Sequence, residues 1–138
     1  MWTFNGKKLD TIPEGYIGFI YKITDTKTGK SYIGKKVFNY SKKRKLTVKE
    51  RVGTRKKVER IKIDSNWQNY WGSCRPLLEW IEENGTKTLK REIIKLCKDK
   101  QSLAYWEAHF LFKEEVLFSN KHWNSNILGR YFKNKIHD

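Results

Sequence analysis

Gly18-Phe19-Ile20-Tyr21-Lys22-Ile23-Thr24-Asp25-Thr26-Lys27-Thr28-Gly29-Lys30-Ser31-Tyr32-Ile33-Gly34 is the stretch that decides how this chain folds. Ile17, Phe19, Tyr21 and Ile23 alternate with Gly18, Ile20 and Lys22, a period of two built from β-favouring side chains, so the run reads as a strand. Asp25 to Lys30 is polar, and its Asp, Thr and Gly can bond locally or accept a positive φ, so it reads as a turn. Ser31 to Gly34 is then a second strand returning beside the first, which brings the phenols of Tyr21 and Tyr32 together. Ordinary cross-strand packing would also account for two strand tyrosines. A further Tyr-Ile-Gly triplet, Tyr16-Ile17-Gly18, precedes the first strand and has no partner motif upstream.

A chain of 138 residues fits one domain, residues 1–138, with room for a real core. Its 30 Lys and Arg against 15 Asp and Glu leave a net charge of +15. Such an excess points to a polyanion, because releasing condensed counterions from nucleic acid is what a dense basic surface gains on binding. A membrane is the weaker reading: no apolar run approaches a spanning helix, and neither a secretory leader nor a lipidation motif is present. A soluble, cytoplasmic protein is expected. Cys74 and Cys97 lie in apolar contexts without metal-ligand spacing and read as reduced core residues rather than a disulfide or zinc site.

The charge is uneven. Lys35 to Lys62 holds thirteen Lys and Arg against two acids, Glu50 and Glu59, and lacks a clear apolar period. This predicts a basic insertion after the second strand, at about residues 37–66, that is extended or mobile rather than core. A one-sided block repels itself, so docking against phosphate is favoured over a merely solvated loop. Lys35, Lys42, Lys43, Lys45, Arg55, Lys56, Lys57 and Arg60 are the candidate nucleic-acid contacts there, joined by Ser73, Arg75 and Arg130, the last in a basic tail at about 128–138.

Trp67, Tyr70 and Trp71 precede Gly72-Ser73-Cys74-Arg75-Pro76 and are expected to pack, with stacking on bases as the alternative. A helix is predicted over about Cys74–Asn84, with Ser73 as N-cap, Pro76 in the first turn and Gly85 as the stop. Thr88 to Cys97 reads as a third strand, followed by a helix from about Leu103 to Glu115. On that helix Glu107 has Leu103, Ala104, Phe110 and Leu111 at three and four positions, so it lies in the apolar stripe. A carboxylate there must be paired, protonated or bound to a metal. A salt bridge to one of the many cations is the simplest partner. His109, His122 and His137 carry no pattern of their own.

The order of these features resembles the GIY-YIG nuclease family, in which a hairpin bearing two motif tyrosines is followed by a helix, a third strand, a helix with a metal-holding glutamate, and a later asparagine. Here the motifs read Phe19-Ile20-Tyr21, with its glycine one position early at Gly18, and an intact Tyr32-Ile33-Gly34. Glu107 and Asn124, the latter after Trp123, take the later places, and the resemblance spans Ile17 to Ile127. In particular it resembles small free-standing phage-borne members that carry Tyr-Ile-Gly-Lys-Lys, a basic insertion, Tyr-Trp-Gly-Ser, Arg-Glu-Ile and a final Asn.

The resemblance implies an α+β domain whose three-stranded, mainly antiparallel sheet is flanked by helices. It also implies a metal-dependent endonuclease of phage or homing type, acting in the host cell cytoplasm on double-stranded DNA. The partner would be one Mg²⁺ or Mn²⁺ held by Glu107, with Tyr21 as general base, Tyr32 as its relay, and Arg44, Lys36 or Arg75 as the phosphate-facing cation. Monomer or weak homodimer, oligomerising on DNA, is the expected state. A non-catalytic basic module that binds DNA or RNA is the rival reading, and only Glu107 and the tyrosine pair argue against it.

Overall fold

A computed structural model describes residues 1–138. The chain runs through β1 (Trp2–Phe4), β2 (Lys7–Leu9), β3 (Gly18–Asp25), β4 (Ser31–Val37), β5 (Asn39–Lys45), β6 (Val58–Asp64), α1 (Arg75–Asn84), β7 (Leu89–Cys97), α2 (Lys100–Lys113), β8 (Asn126–Ile127) and β9 (Tyr131–Phe132). One-turn 3-10 segments lie at Trp67–Asn69 and Val116–Phe118. The architecture is α+β, with a mixed five-stranded sheet in the order β2-β1-β7-β3-β4. No helix is long and apolar enough to cross a membrane.

The expected hairpin is β3–β4, paired antiparallel from Gly18 opposite Val37 to Thr24 opposite Ser31. Its turn is organised by Asp25, whose carboxylate accepts from the backbone N–H of Lys27 and Thr28 and from the Thr28 hydroxyl at 2.6 Å. Gly29 supplies the positive φ of 77° that closes it. On the other side of β3 lies β7, whose register slips by one residue between Ile20 and Tyr21, a bulge beside the motif tyrosine.

The sheet has five strands where three were expected, because the N-terminus adds a hairpin. Asn5 and Gly6, at φ of 53° and 78°, turn β1 back into β2, and β1 then joins β7 in parallel. Asn-Gly is a strong signal for a two-residue hairpin turn, but strands of three residues are too short to display a period.

Two cores form, one on each face of the sheet. Phe19, Tyr21, Ile23 and Ile93 join Trp2, Phe38, Trp67, Leu77 and Trp123 under α1 and the segment leading into it. Ile20, Ile33 and Cys97 pack on the opposite face against Leu103 and Leu111 of α2, with Val116, Leu117 and Ile127. The alternation of β3 distributes one sequence to two cores, which is why both of its parities are apolar. The aromatic cluster before α1 therefore packs: Trp67 is buried, and the indole N–H of Trp2 donates to its carbonyl at 2.8 Å.

The basic stretch after β4 forms a separate antiparallel ribbon, β5–β6, from Asn39 opposite Asp64 to Lys45 opposite Val58. A two-stranded ribbon outside the main sheet buries neither face fully, so a full apolar alternation is not demanded, and only Ile61 and Ile63 of β6 show one.

The helix ends differ in detail from expectation. Cys74, not Ser73, is the residue before α1, and no side chain caps it; Pro76 sits in the first turn and Gly85 closes it, donating to the Ile81 carbonyl at 2.7 Å. α2 starts at Lys100 because Asp99 Oδ1 accepts from the N–H of Ser102 at 2.7 Å. It ends at Lys113, just before Glu115 turns to φ 49°.

Candidate active site

β4 is an edge strand of the sheet, and its outer edge would present unpaired backbone groups. The segment Lys121–Asn124 covers it. Ser31 N–H donates to the Lys121 carbonyl and Trp123 N–H to the Ser31 carbonyl, both at 2.8 Å. Two residues along, the covering chain no longer supplies backbone, and the side chain of Asn124 takes over. Its Oδ1 accepts from Ile33 N–H at 3.1 Å and its Nδ2 donates to the Ile33 carbonyl at 2.8 Å. A carboxamide has the donor and acceptor of a peptide group, so this 5 % exposed side chain continues the ladder by one step. It fixes the strand in the middle of the Tyr32-Ile33-Gly34 motif.

Tyr21 lies directly opposite Gly34 across the hairpin. A Cβ at Gly34 would fall 2.5 Å from Tyr21 Oη, 2.7 Å from its Cζ and 3.1 Å from Tyr32 Cε1, so only glycine lets the first phenol lie over the second strand. Gly72, at φ 91°, closes from the other side, where a Cβ would stand 3.3 Å from both Tyr21 Oη and Tyr32 Cε1. The two rings meet with centroids 6.1 Å apart. Their surroundings differ. Tyr21 is 1 % exposed, edge-on to Trp2 and Tyr70 in the core. Tyr32 is half-buried and lines a cavity of about 360 Å³. Burial pushes both hydroxyls well above the usual phenol range, and neighbouring phenols and Glu107 add to the rise.

Glu107 lines the same cavity, reaching it from the opposite face of the sheet. It projects from α2 between the buried Leu103 and Leu111, and its side chain is 17 % exposed. Its nearest cation, Lys35 Nζ, stands at 3.9 Å, too far for a hydrogen bond. Burial raises the carboxyl's pKa, and Lys35 only partly opposes it. Asn124 also lines the cavity, with Ser73, Ser125 and Asn126. No three His, Cys, Asp or Glu side chains cluster anywhere in the protein, so Glu107 is the only carboxylate offered. A desolvated carboxylate with only a long ion pair to Lys35, in a wall of hydroxyl and amide oxygens, fits a hard divalent cation whose other ligands come from outside the protein.

The cations named from sequence separate clearly. Arg75 lines the cavity, largely exposed, with its Nε donating to Glu79 at 3.1 Å. Lys35 reaches it through Glu107. Lys36 does not line it: it is 9 % exposed, donates to Tyr40 Oη at 2.8 Å and lies over the Tyr70 ring at 4.0 Å. Arg44 is on the β5–β6 ribbon, its guanidinium bound by Glu50 and Glu59, and it too is absent from the cavity wall. Lys42, Lys43, Lys45 and Arg60 are ribbon residues, and Arg55, Lys56 and Lys57 belong to the loop that joins its strands. Arg130 is exposed beside Tyr131. His109 packs its ring edge against Trp106 on an exposed face, away from Glu107. Cys74 is half-buried at the cavity wall and Cys97 is in the core; both are free.

Two supports were not legible as such. Gly72 was visible only as part of a helix approach. Arg91, 5 % exposed, is sandwiched between Trp2 and Trp71 at 4.7 and 4.1 Å and donates to the carbonyls of Gln68 and Tyr70, so it holds the segment that backs the tyrosines. In a strand rich in Lys, Arg and Glu nothing distinguished it from its solvent-facing neighbours.

A family model described as "Putative endonuclease segE, GIY-YIG domain" matches residues 2–136. No curated protein and no solved structure matches the chain. The match takes in the hairpin tyrosines, the α2 glutamate, the asparagine that pins β4 and the N-terminal hairpin alike. This chain belongs to the GIY-YIG endonuclease family and is a phosphodiester hydrolase acting on DNA.

Proposed function

We propose that the protein cuts double-stranded DNA in a reaction that depends on Mg²⁺ or Mn²⁺, at the cavity between Tyr32, Glu107 and Asn124. The observation that carries this reading is the position of Glu107, which reaches the Tyr32 side of the β4 edge as a desolvated carboxylate whose one ion pair is a long contact to Lys35. Glu107 would hold the divalent cation, with phosphate and water oxygens completing its shell. When bound, that cation polarises the scissile phosphate and offsets charge on the leaving 3′ oxygen.

Tyr32, the phenol that faces the cavity, orients the attacking water and accepts its proton. Tyr21 stands behind it, sealed from solvent, so the base role expected for Tyr21 passes to Tyr32, and Tyr21 sets the ring's position. An ordinary phenol ionises near pH ~10 and burial raises both of these further, so proton acceptance requires a positive charge in the cavity. Arg75 supplies the cation for the non-bridging phosphate oxygens, since Lys36 and Arg44 are held elsewhere by Tyr40, Tyr70, Glu50 and Glu59. Asn124 positions the strand and does not itself face the phosphate.

Conversion of supercoiled plasmid to nicked or linear DNA by purified protein, with Mg²⁺, with Mn²⁺ and with EDTA, tests this reading. Cleavage only with a divalent cation supports it. Persistent cutting in EDTA refutes the cation dependence, and no cutting under any cation supports the non-catalytic module. The setting in a phage or homing element is inferred from the resemblance of the motifs to small free-standing phage-borne members, not from the family match.

A further inference from the structure

The β5–β6 ribbon has two unlike faces. Tyr40, Lys42 and Arg44 lie opposite Ile63, Ile61 and Glu59, and this face carries most of the ribbon's apolar residues and Glu59. The other parity sets Asn39 opposite Asp64, Ser41 opposite Lys62, Lys43 opposite Arg60 and Lys45 opposite Val58. That face has one carboxylate, Asp64 at the last residue of β6, whose Oδ1 accepts from the N–H of Asn66 and which makes no salt bridge. The other two acids of the ribbon, Glu50 and Glu59, both bind Arg44, which points to the first face, and Lys43, Lys45, Arg60 and Lys62 make no salt bridge. Arg60 makes one hydrogen bond, at 3.4 Å to the Ser41 hydroxyl.

Like charges set directly opposite destabilise a strand pair. Lys43 opposite Arg60 is such a pair, and the Arg44 clasp holds it in place from behind by tying the loop at Glu50 to β6 at Glu59. The basic face also adjoins the body of the protein, because Ser41 and Lys62 share a cleft with Lys98, Lys100 and Asp99, whose carboxylate is taken up in capping α2. A rigid, twisted ribbon with an unneutralised basic face complements a polyanion that has a groove. Two strands about 4.8 Å apart with their side chains fit the roughly 12 Å major groove of B-form DNA, and seven residues at about 3.4 Å each extend for most of a helical turn. The major groove of an RNA duplex is deep and narrow and excludes such an element.

We propose that the β5–β6 ribbon docks in the major groove of duplex DNA with the face of Lys43, Lys45, Arg60 and Lys62 turned to the phosphates and base edges. This names the docking element for the substrate class proposed above and rests on that reading. It makes the ribbon, not the cavity, the source of affinity.

Adjacent lysines of opposite parity provide the test. Binding of a 20-base-pair DNA duplex is measured in EDTA, where cleavage plays no part, as a function of salt for the full chain. Lys43→Gln should lower the slope of log K against log salt by about 0.9, and Lys43→Gln with Arg60→Gln by about 1.8, weakening binding about 10- to 100-fold at 0.1 M salt. Lys42→Gln, with the same loss of charge, should leave the slope unchanged. Removing the opposed charges should leave thermal stability equal to or above that of the parent, which separates lost contacts from a lost fold. Equal slopes for the Lys42 and Lys43 variants would overturn the proposal in favour of diffuse attraction. An RNA duplex bound as tightly as DNA, with the same dependence on Lys43, would overturn the groove assignment. Because no readout involves cutting, failure here leaves the cleavage result to judge the nuclease reading separately.

Discussion

Replacing Asn124 by alanine should loosen the site without touching any group assigned to the chemistry. The side chain makes two hydrogen bonds to one edge residue, Ile33 N–H at 3.1 Å and Ile33 C=O at 2.8 Å, and it is 5 % exposed. Truncation strands both backbone groups, and an unsatisfied buried polar group costs about 1–3 kcal/mol. The neighbouring cavity can admit water to the vacated space, which places the total near the low end, about 2 kcal/mol. For a chain of this length that corresponds to a fall of about 6–10 °C in Tm. Asn124→Asp should behave differently with pH. Its carboxylate still accepts from Ile33 N–H but opposes the Ile33 carbonyl, so its folded pKa is raised above the unfolded value near ~3.9. The folded state then binds the extra proton, and the deficit shrinks as pH falls through the raised pKa. Thermal melts of both variants between about pH 4 and pH 8 measure this. A loss under about 0.5 kcal/mol for Asn124→Ala, or an Asn124→Asp deficit that grows with acid, would refute the ladder role of Asn124.

Other outcomes follow from the same geometry. Gly34→Ala places a Cβ 2.5 Å from Tyr21 Oη, so it should cost about 1–3 kcal/mol in denaturant unfolding and displace Tyr32 enough to depress cleavage. Arg75→Ala should lower kcat/KM for a short duplex by about 10- to 100-fold, the loss of one charge-assisted contact, whereas Arg44→Ala should weaken DNA binding by loosening the ribbon and leave single-turnover cleavage of bound DNA near the parent rate. Glu107 has a raised carboxyl, so without metal the folded protein should gain stability as pH falls toward that pKa while cleavage falls, its acid limb lying above the usual carboxylate range near ~4.3. Raising the Mn²⁺ concentration should move that limb to lower pH in rate profiles; a limb indifferent to metal would argue against Glu107 as the ligand.

The hairpin of Tyr21 and Tyr32 and the isolation of Glu107 could be read from the chain because each breaks or keeps a local period. β3 shows its alternation, and a carboxylate among Leu103, Phe110 and Leu111 violates that of a helix. The meeting of these parts around the edge of β4 was not legible, since it depends on a side chain, Asn124, that bridges to a strand far away in sequence. The order of features suggested Asn124 as a site residue, yet its two bonds to Ile33 make it a clamp. The roles of Arg44 and Lys36 were also hidden. The resemblance offered Arg44 as one candidate cation, but Glu50 and Glu59 claim it, and Lys36 follows the motif yet turns into the ring faces of Tyr40 and Tyr70. Charge composition alone could not say which cations are already neutralised. The ribbon was the least legible element, because a strand pair built mainly on Lys and Arg, with Ile61 and Ile63 as its only alternating aliphatic residues, gives too short an apolar signal.

The central claim is that Tyr32 and Glu107 act on DNA together with a divalent cation, and single-turnover cleavage of a bound duplex by Glu107→Gln and Tyr32→Phe tests it most directly. Both variants should bind DNA in EDTA with the parent's salt dependence and melt within a few degrees of it. With Mg²⁺ or Mn²⁺ present, both should cut at least 10²-fold more slowly, and excess metal should not restore Glu107→Gln. Cleavage by either variant at near the parent rate would contradict the account.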